Sequence, residues 1–224
     1  MSKAILTPAE WETTLSDWYN TMKNTSDHWN TIFTSKDARD LGWFERDLSP
    51  TLRLIEQACL APNSKIFLPG AGTSQLVDEL LAQQHRLVLN DISDKALAIQ
   101  QQRLGTVNCE YLHHNIAQEL PANFAIDMWI DRAVLHFLLT EQEITGYFDN
   151  LKSVVKPLGY VLLAQFSKGG STRCANLDIH QYDLKEMQQR LGNEFNLIAS
   201  KDYAFINPYQ QEKPYIYGLF QRQG

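Results

Sequence analysis

Hydrophobic positions along the chain follow two alternating rhythms. From residue 64 onward, short apolar runs trade places with helical faces. Lys65–Leu68 reads as a strand, 74–84 as a helix with Leu76, Val77, Leu80 and Leu81 on one side, and Arg86–Asn90 as the next strand. A helix over 93–104, a strand at 109–113 and a strand at 125–130 continue the series. Spacing then predicts a helix over 141–155, with Ile144, Phe148, Leu151 and Val155 on one face. Pro157-Leu158-Gly159 breaks it, and a strand follows at 160–166. Alternation of this kind specifies an α/β fold, a mostly parallel sheet with helices on both faces. The ending differs. After a helix over 183–191, apolar strands near 195–203 and 215–221 have no helix between them and are expected to pair antiparallel around Asn207-Pro208-Tyr209.

Two helices are expected before the series. The first starts at Thr7-Pro8-Ala9-Glu10, where Thr7 caps, Pro8 loses no useful N–H and Glu10 completes a capping box. It places Trp11, Leu15, Trp18 and Met22 on one face. The second begins at Ser49-Pro50, turns Leu52, Ile55 and Cys59 inward and ends at Pro62-Asn63. Residues 1–47 hold four of the five Trp and read as a helical cap segment, leaving 48–224 as the main domain.

Composition narrows the function classes. The chain has 224 residues, 20 Lys plus Arg and 26 Asp plus Glu, a net charge of −6. A mainly electrostatic nucleic-acid binder would carry a basic excess, so no nucleic-acid partner is expected. Cys59, Cys109 and Cys174 are scattered and odd in number, which suits reduced thiols and supports neither a disulfide framework nor a metal site. The first residues are too polar for a secretory signal, and no apolar run approaches a bilayer span. The expectation is a soluble, cytoplasmic protein with no membrane partner.

The chemistry concentrates at the ends of the first strands. Strand 65–68 runs into Pro69-Gly70-Ala71-Gly72-Thr73-Ser74 and then a helix, so the glycines let backbone approach a ligand beside free N–H donors. Asn90-Asp91 ends the next strand, and a carboxylate there can accept both ribose hydroxyls of a nucleoside. A dinucleotide site wants a third glycine where this chain has Gln75, so that fingerprint fails. A cofactor without phosphate needs only the turn and the acid.

These elements, with Ala125–Ala133 and Lys156-Pro157-Leu158-Gly159-Tyr160, resemble the class I S-adenosylmethionine-dependent methyltransferases over residues from about 29 to the end. The resemblance implies a Rossmann-like doubly wound sheet of seven strands, the last inserted antiparallel between its neighbours, and S-adenosylmethionine as cofactor. It assigns cofactor contact to Trp43, Gly70, Ala71, Gly72, Thr73, Ser74, Asp91, Ile92, Asn115, Ile116 and Asp131. Two positions depart from the family pattern: Leu68-Pro69 stands where an acid is usual, and Asn115 where an acid usually meets the adenine amine. Pro before the glycines resembles the thiopurine and thiol methyltransferase branch. Asp131–Leu138 and Phe166–Cys174 instead resemble bacterial relatives of the mitochondrial citrate synthase lysine methyltransferase.

Asp131, Arg132 and His136 are the catalytic candidates, each with a plain structural alternative: an ion pair for the first two, a satisfied core histidine for the third. An amine acceptor must be neutral, which favours a base such as Asp131 or His136. Trp43 or Phe44 would shield a sulfonium. Cys174 and His180 fall in a loop that can cover the acceptor, and Cys174 is not expected to be a nucleophile. The reaction expected is methyl transfer to a small-molecule thiol or amine, with a protein lysine as runner-up and a non-catalytic cofactor-binding module as the alternative class.

Overall fold

The computed structural model describes residues 24–121 and 124–224. The helix expected from Thr7, with its Trp11, Leu15, Trp18 and Met22 face, lies outside the described residues. The first described helix is α1 (Ser26–Ser35), where the Thr25 hydroxyl accepts the His28 N–H and Trp29 and Phe33, four apart, turn inward. Then come α2 (Ser49–Gln57), β1 (Lys65–Leu68), α3 (Leu76–Ala82), β2 (Arg86–Asp91), α4 (Asp94–Leu104), β3 (Cys109–His113) and β4 (Ile126–Arg132). After these follow α5 (Glu141–Val154), β5 (Val155–Phe166), α6 (Leu184–Leu191), β6 (Phe195–Ile206) and β7 (Glu212–Arg222).

The seven strands form one sheet in the order β3-β2-β1-β4-β5-β7-β6. Pairs from β3 through β5 are parallel, and β7 runs antiparallel to both β5 and β6, as expected. Strand order reverses between β1 and β4, which opens a crevice at their carboxyl ends. Side-chain alternation sends Ile66, Leu68, Leu87, Leu89, Met128 and Ile130 to one core layer, with Trp29, Phe33 and the inner faces of α2, α3 and α4. Phe67, Val88, Trp129, Val161 and Leu163 go to the other, beneath α5 and α6. Burying each of these large side chains contributes about 1.5–3 kcal/mol, which favours one register over a slip that would swap the faces.

Two local expectations change. Helix α2 stops at Gln57 rather than near Pro62, because Cys59 adopts φ 46 and turns the chain away. Its buried face is Thr51, Leu54 and Ile55, and Cys59 is exposed. Strand β5 begins at Val155: Pro157-Leu158-Gly159 ends the helix as expected, but lies in an irregularity of the β4–β5 pairing, with Leu158 at φ 63. From the segment before α2, Trp29, Phe33 and Leu41 belong to the layer that packs on the sheet.

One glycine that reads as a helix weakness is a contact point. A Cβ on Gly146, inside α5, would lie 2.1 Å from the Ala117 carbonyl oxygen. Gly146→Ala gains about 1 kcal/mol of helix propensity but forces backbone apart, a net loss expected near 1–3 kcal/mol. A thermal melt checks it, and a raised midpoint would refute the contact.

Candidate active site

The crevice is a cavity whose walls come from elements far apart in sequence. Its floor is the β1–α3 turn. Gly70 and Gly72 have φ 52 and 51, backbone that favours glycine. A Cβ on Gly70 would meet Val134 Cγ2 at 2.3 Å, and one on Gly72 the Phe33 ring at 3.3 Å. Leu68, Pro69, Gly70, Ala71, Gly72, Thr73 and Ser74 all line the cavity.

Asp91 closes one side. It is buried at the end of β2, where Oδ2 accepts the Gly72 N–H at 2.9 Å and Oδ1 the Ser93 N–H at 2.8 Å. Ser93, not Asp91, caps α4. Each Asp91 oxygen thus keeps acceptor capacity beyond one backbone bond. Burial pushes its pKa up to about 6, against the pull of the Ser93 and Gly72 N–H groups. Ile92, Asn115 and Ile116 flank it on the cavity wall. Asn115 Oδ1 already accepts the Ala117 N–H at 3.0 Å and retains a second lone pair.

A further wall is aromatic and comes from α1, the segment after it and the turn after β4. Trp29, Phe33, Trp43, Phe44 and Phe137 line the cavity. Their rings pack at right-angle contacts, with centroids 5.7 Å apart for Trp29–Trp43 and 4.9 Å for Trp29–Phe137. Asn30 ties α1 to the start of α4, accepting from Ser93 Oγ at 2.6 Å and donating to Asp94 at 2.7 Å. That bridge seats the aromatic wall over the glycines.

The catalytic candidates separate by strand parity. Arg132 shares a face with Met128 and Ile130 and lines the cavity. Asp131 shares the other with Trp129 and does not. Its carboxylate accepts N–H bonds from Val134 and Leu135, both 3.0 Å, and the Tyr147 hydroxyl at 2.6 Å. Burial pushes its pKa up to about 6, while Tyr147 leads the hydrogen bonds that oppose the rise. His136 is likewise absent from the wall. Its Nδ1 lies 3.0 Å from Gln165 Oε1, and burial drives its pKa down to about 3, so the ring is neutral. Asp131 and His136, the expected catalytic residues, both make their hydrogen bonds on the inner side of the turn after β4. Cys174 lines the cavity, its thiol pushed up to about 11 by burial, which leaves it protonated and a poor nucleophile.

Glu45 gave no sequence signal and is the carboxylate on the β4 side of the cavity. Its Oε1 receives Arg132 Nε at 2.8 Å and the Thr51 hydroxyl at 3.2 Å. Burial raises its pKa, with Arg132 and then Thr51 acting against the rise. Burial disfavours the Arg132 charge too, but Glu45 and the Tyr217 and Tyr215 hydroxyls outweigh it and hold the guanidinium ionised.

Comparison with known proteins shows what this chain is similar to. Residues 68–159, from the last residue of β1 to the bulge in β5, match the family model of the methyltransferase domain. That similarity spans somewhat under half of the chain. No curated protein matches the sequence. Solved structures share this fold at low identity. A Burkholderia thailandensis 1,6-didemethyltoxoflavin N1-methyltransferase, solved with its substrate and S-adenosylhomocysteine, is 16% identical with TM-score 0.64, covering 100% of this chain and 94% of that one. The N-methyltransferase NodS from Bradyrhizobium japonicum, in complex with S-adenosylhomocysteine, is 12% identical with TM-score 0.67, covering 88% and 100%. A TehB-like methyltransferase from Corynebacterium glutamicum is 15% identical with TM-score 0.57, covering 97% and 100%. Among the described residues, no helix is long and apolar enough to cross a membrane, and no three metal-binding side chains gather in one place.

Proposed function

We propose that this protein is a methyltransferase that takes the methyl group of S-adenosylmethionine and places it on a small-molecule acceptor, an amine or a thiol. The observation that carries the reading is Asp91: a buried carboxylate on the cavity wall, beside a two-glycine turn, with acceptor capacity left on both oxygens. Its remaining lone pairs suit a vicinal diol. Ile92 and Ile116 offer apolar walls for an adenine, and Asn115 a second polar contact. Trp43 and Phe44 lie where an aromatic face can attract the sulfonium, a contact worth about 0.5–2 kcal/mol. When bound, the cofactor supplies an electrophilic methyl: the acceptor lone pair forms the new bond to carbon as the carbon–sulfur pair returns to sulfur.

The protein's part is to align and desolvate. Reacting atoms must be held about 3–3.5 Å apart, and a nucleoside fixed at Asp91 directs its far end toward β4. There Glu45 offers a carboxylate oxygen, Oε2, to receive the proton that an amine or thiol sheds. This reading replaces Asp131 and His136 as bases. Small-molecule chemistry is favoured by analogy with the toxoflavin-precursor methyltransferase, which was solved with such a substrate. A protein lysine is the second reading, carried only by the resemblance of Asp131–Leu138 and Phe166–Cys174 to the citrate synthase lysine methyltransferase group.

Incubating the protein with methyl-labelled cofactor and a cell extract, then separating by molecular size, tests both. Label is expected in the small-molecule fraction. Label confined to protein would favour the lysine reading, and none in either would leave a binding module.

A further inference from the structure

Arg132 is built as though one more partner were missing. Its side chain is only 8% exposed. Nε serves Glu45 at 2.8 Å and the Tyr217 hydroxyl at 3.3 Å, and Nη1 donates to the Trp43 carbonyl at 3.0 Å. The guanidinium lies over the Phe205 and Tyr215 rings, 4.5 and 5.1 Å from their centroids. Nη2, with two N–H groups, has no hydrogen-bond partner among the described residues. A buried charged group that leaves two donors unmatched is costly, and such sites are filled by a ligand acceptor or by water.

A second cation stands at the same corner. Lys213, opposite Phe205 in the β6–β7 pairing, makes no ion pair among the described residues. Its ammonium and the Arg132 guanidinium both act on the Cys174 thiol, which lines the cavity. Glu45 pairs with Arg132, and Lys213 adds a second positive charge on this side. It lies on the β4–β7 side of the crevice, across from the Asp91 wall where the nucleoside would be held.

We propose that the methyl acceptor is a small organic acid, whose carboxylate docks on Arg132 Nη2 at the Cys174 corner with Lys213 contributing long-range attraction. This rests on the methyltransferase reading above and specifies its substrate class. A carboxylate fits an Arg fork better than a hydroxyl or an amide does, because the bond is charge-assisted. Trp43 and Phe44 beside the corner suit an acceptor with an apolar or aromatic body.

Benzoate is the probe, titrated by calorimetry into the full-length protein saturated with S-adenosylhomocysteine. Benzamide and benzyl alcohol serve as neutral counterparts. Benzoate is expected to bind at least tenfold more tightly than either. Lys213→Gln should weaken it severalfold. The double variant Arg132→Gln with Glu45→Gln removes both buried charges together, so neither is left unpaired, and should abolish benzoate binding while S-adenosylhomocysteine still binds. Equal binding of the three probes, no benzoate binding, or benzoate binding that survives the double variant would overturn the proposal. So would loss of S-adenosylhomocysteine binding in the double variant, which would assign Arg132 to the cofactor's own carboxylate. Failure of the wild type to bind S-adenosylhomocysteine would instead remove the methyltransferase reading beneath it.

Discussion

Asp91→Ala is expected to abolish the binding of S-adenosylhomocysteine that the wild-type protein shows in calorimetry. Two hydroxyl hydrogen bonds to a carboxylate are worth about 1.5–3 kcal/mol each. Their loss together lowers affinity by roughly 100-fold to 10,000-fold. The substitution also strands the Gly72 and Ser93 N–H groups that the carboxylate now accepts. Asp91→Asn separates the two effects, because its carbonyl oxygen can still accept one of these donors while the charge is gone.

The same residue sets a pH dependence. In the ligand-free protein its pKa is pushed up to about 6, chiefly by burial. Ribose hydroxyls favour the ionised form, so the ligand must displace a proton below that value. Affinity should therefore be flat above about pH 7 and fall toward tenfold per pH unit below the pKa near 6. The slope should vanish in Asp91→Asn. Affinity unchanged in Asp91→Ala, or a flat wild-type profile down to pH 5, would remove Asp91 from the cofactor site.

Much of this crevice was legible because its determinants are local. The glycine turn follows β1 directly and Asp91 ends β2, and runs of three apolar residues mark β1, β2 and β4. Alternation from Met128 through Ile130 also carried a signal that the motif-based reading passed over. It places Arg132 on the cavity face and Asp131 on the opposite one, so two adjacent residues cannot both reach the same ligand. Glu45 was not legible. Its position depends on an irregular segment between α1 and α2 docking against Arg132 and Thr51, which no periodicity encodes. The end of α2 was missed for a similar reason, since a left-handed Cys59 is not the residue type that announces a helix stop. Gly146 was hidden because its reason is the Ala117 carbonyl, brought near only by the packed fold.

Asp131→Ala should act on stability, where a catalytic acid on the cavity wall would act on turnover. Removing the carboxylate leaves the Val134 and Leu135 N–H groups and the Tyr147 hydroxyl without their acceptor. An unsatisfied buried donor costs about 1–3 kcal/mol, so three together predict a loss of roughly 3–9 kcal/mol. For a chain of this size that lowers the melting midpoint by about 10 °C or more. Asp131→Asn should be far milder. It keeps an acceptor oxygen, and it removes a charge that burial disfavours, as the rise of the Asp131 pKa to about 6 records. That rise fixes the sign of the pH effect. Between the unfolded value of 3.8 and about 6, the folded protein holds a proton that the unfolded chain has released. Stability from this group is therefore full below pH 3.8 and lost as pH rises through 6, by up to about 1.4 kcal/mol per pH unit. Urea unfolding of wild type and Asp131→Asn at pH 4.5 and 7.5 reads the difference directly. The wild type should lose more stability between the two pH values than the variant does. Equal losses would mean that Asp131 is not the buried, raised acid that its contacts describe, and an Asp131→Ala protein of unchanged stability but no methyl transfer would return it to the chemistry.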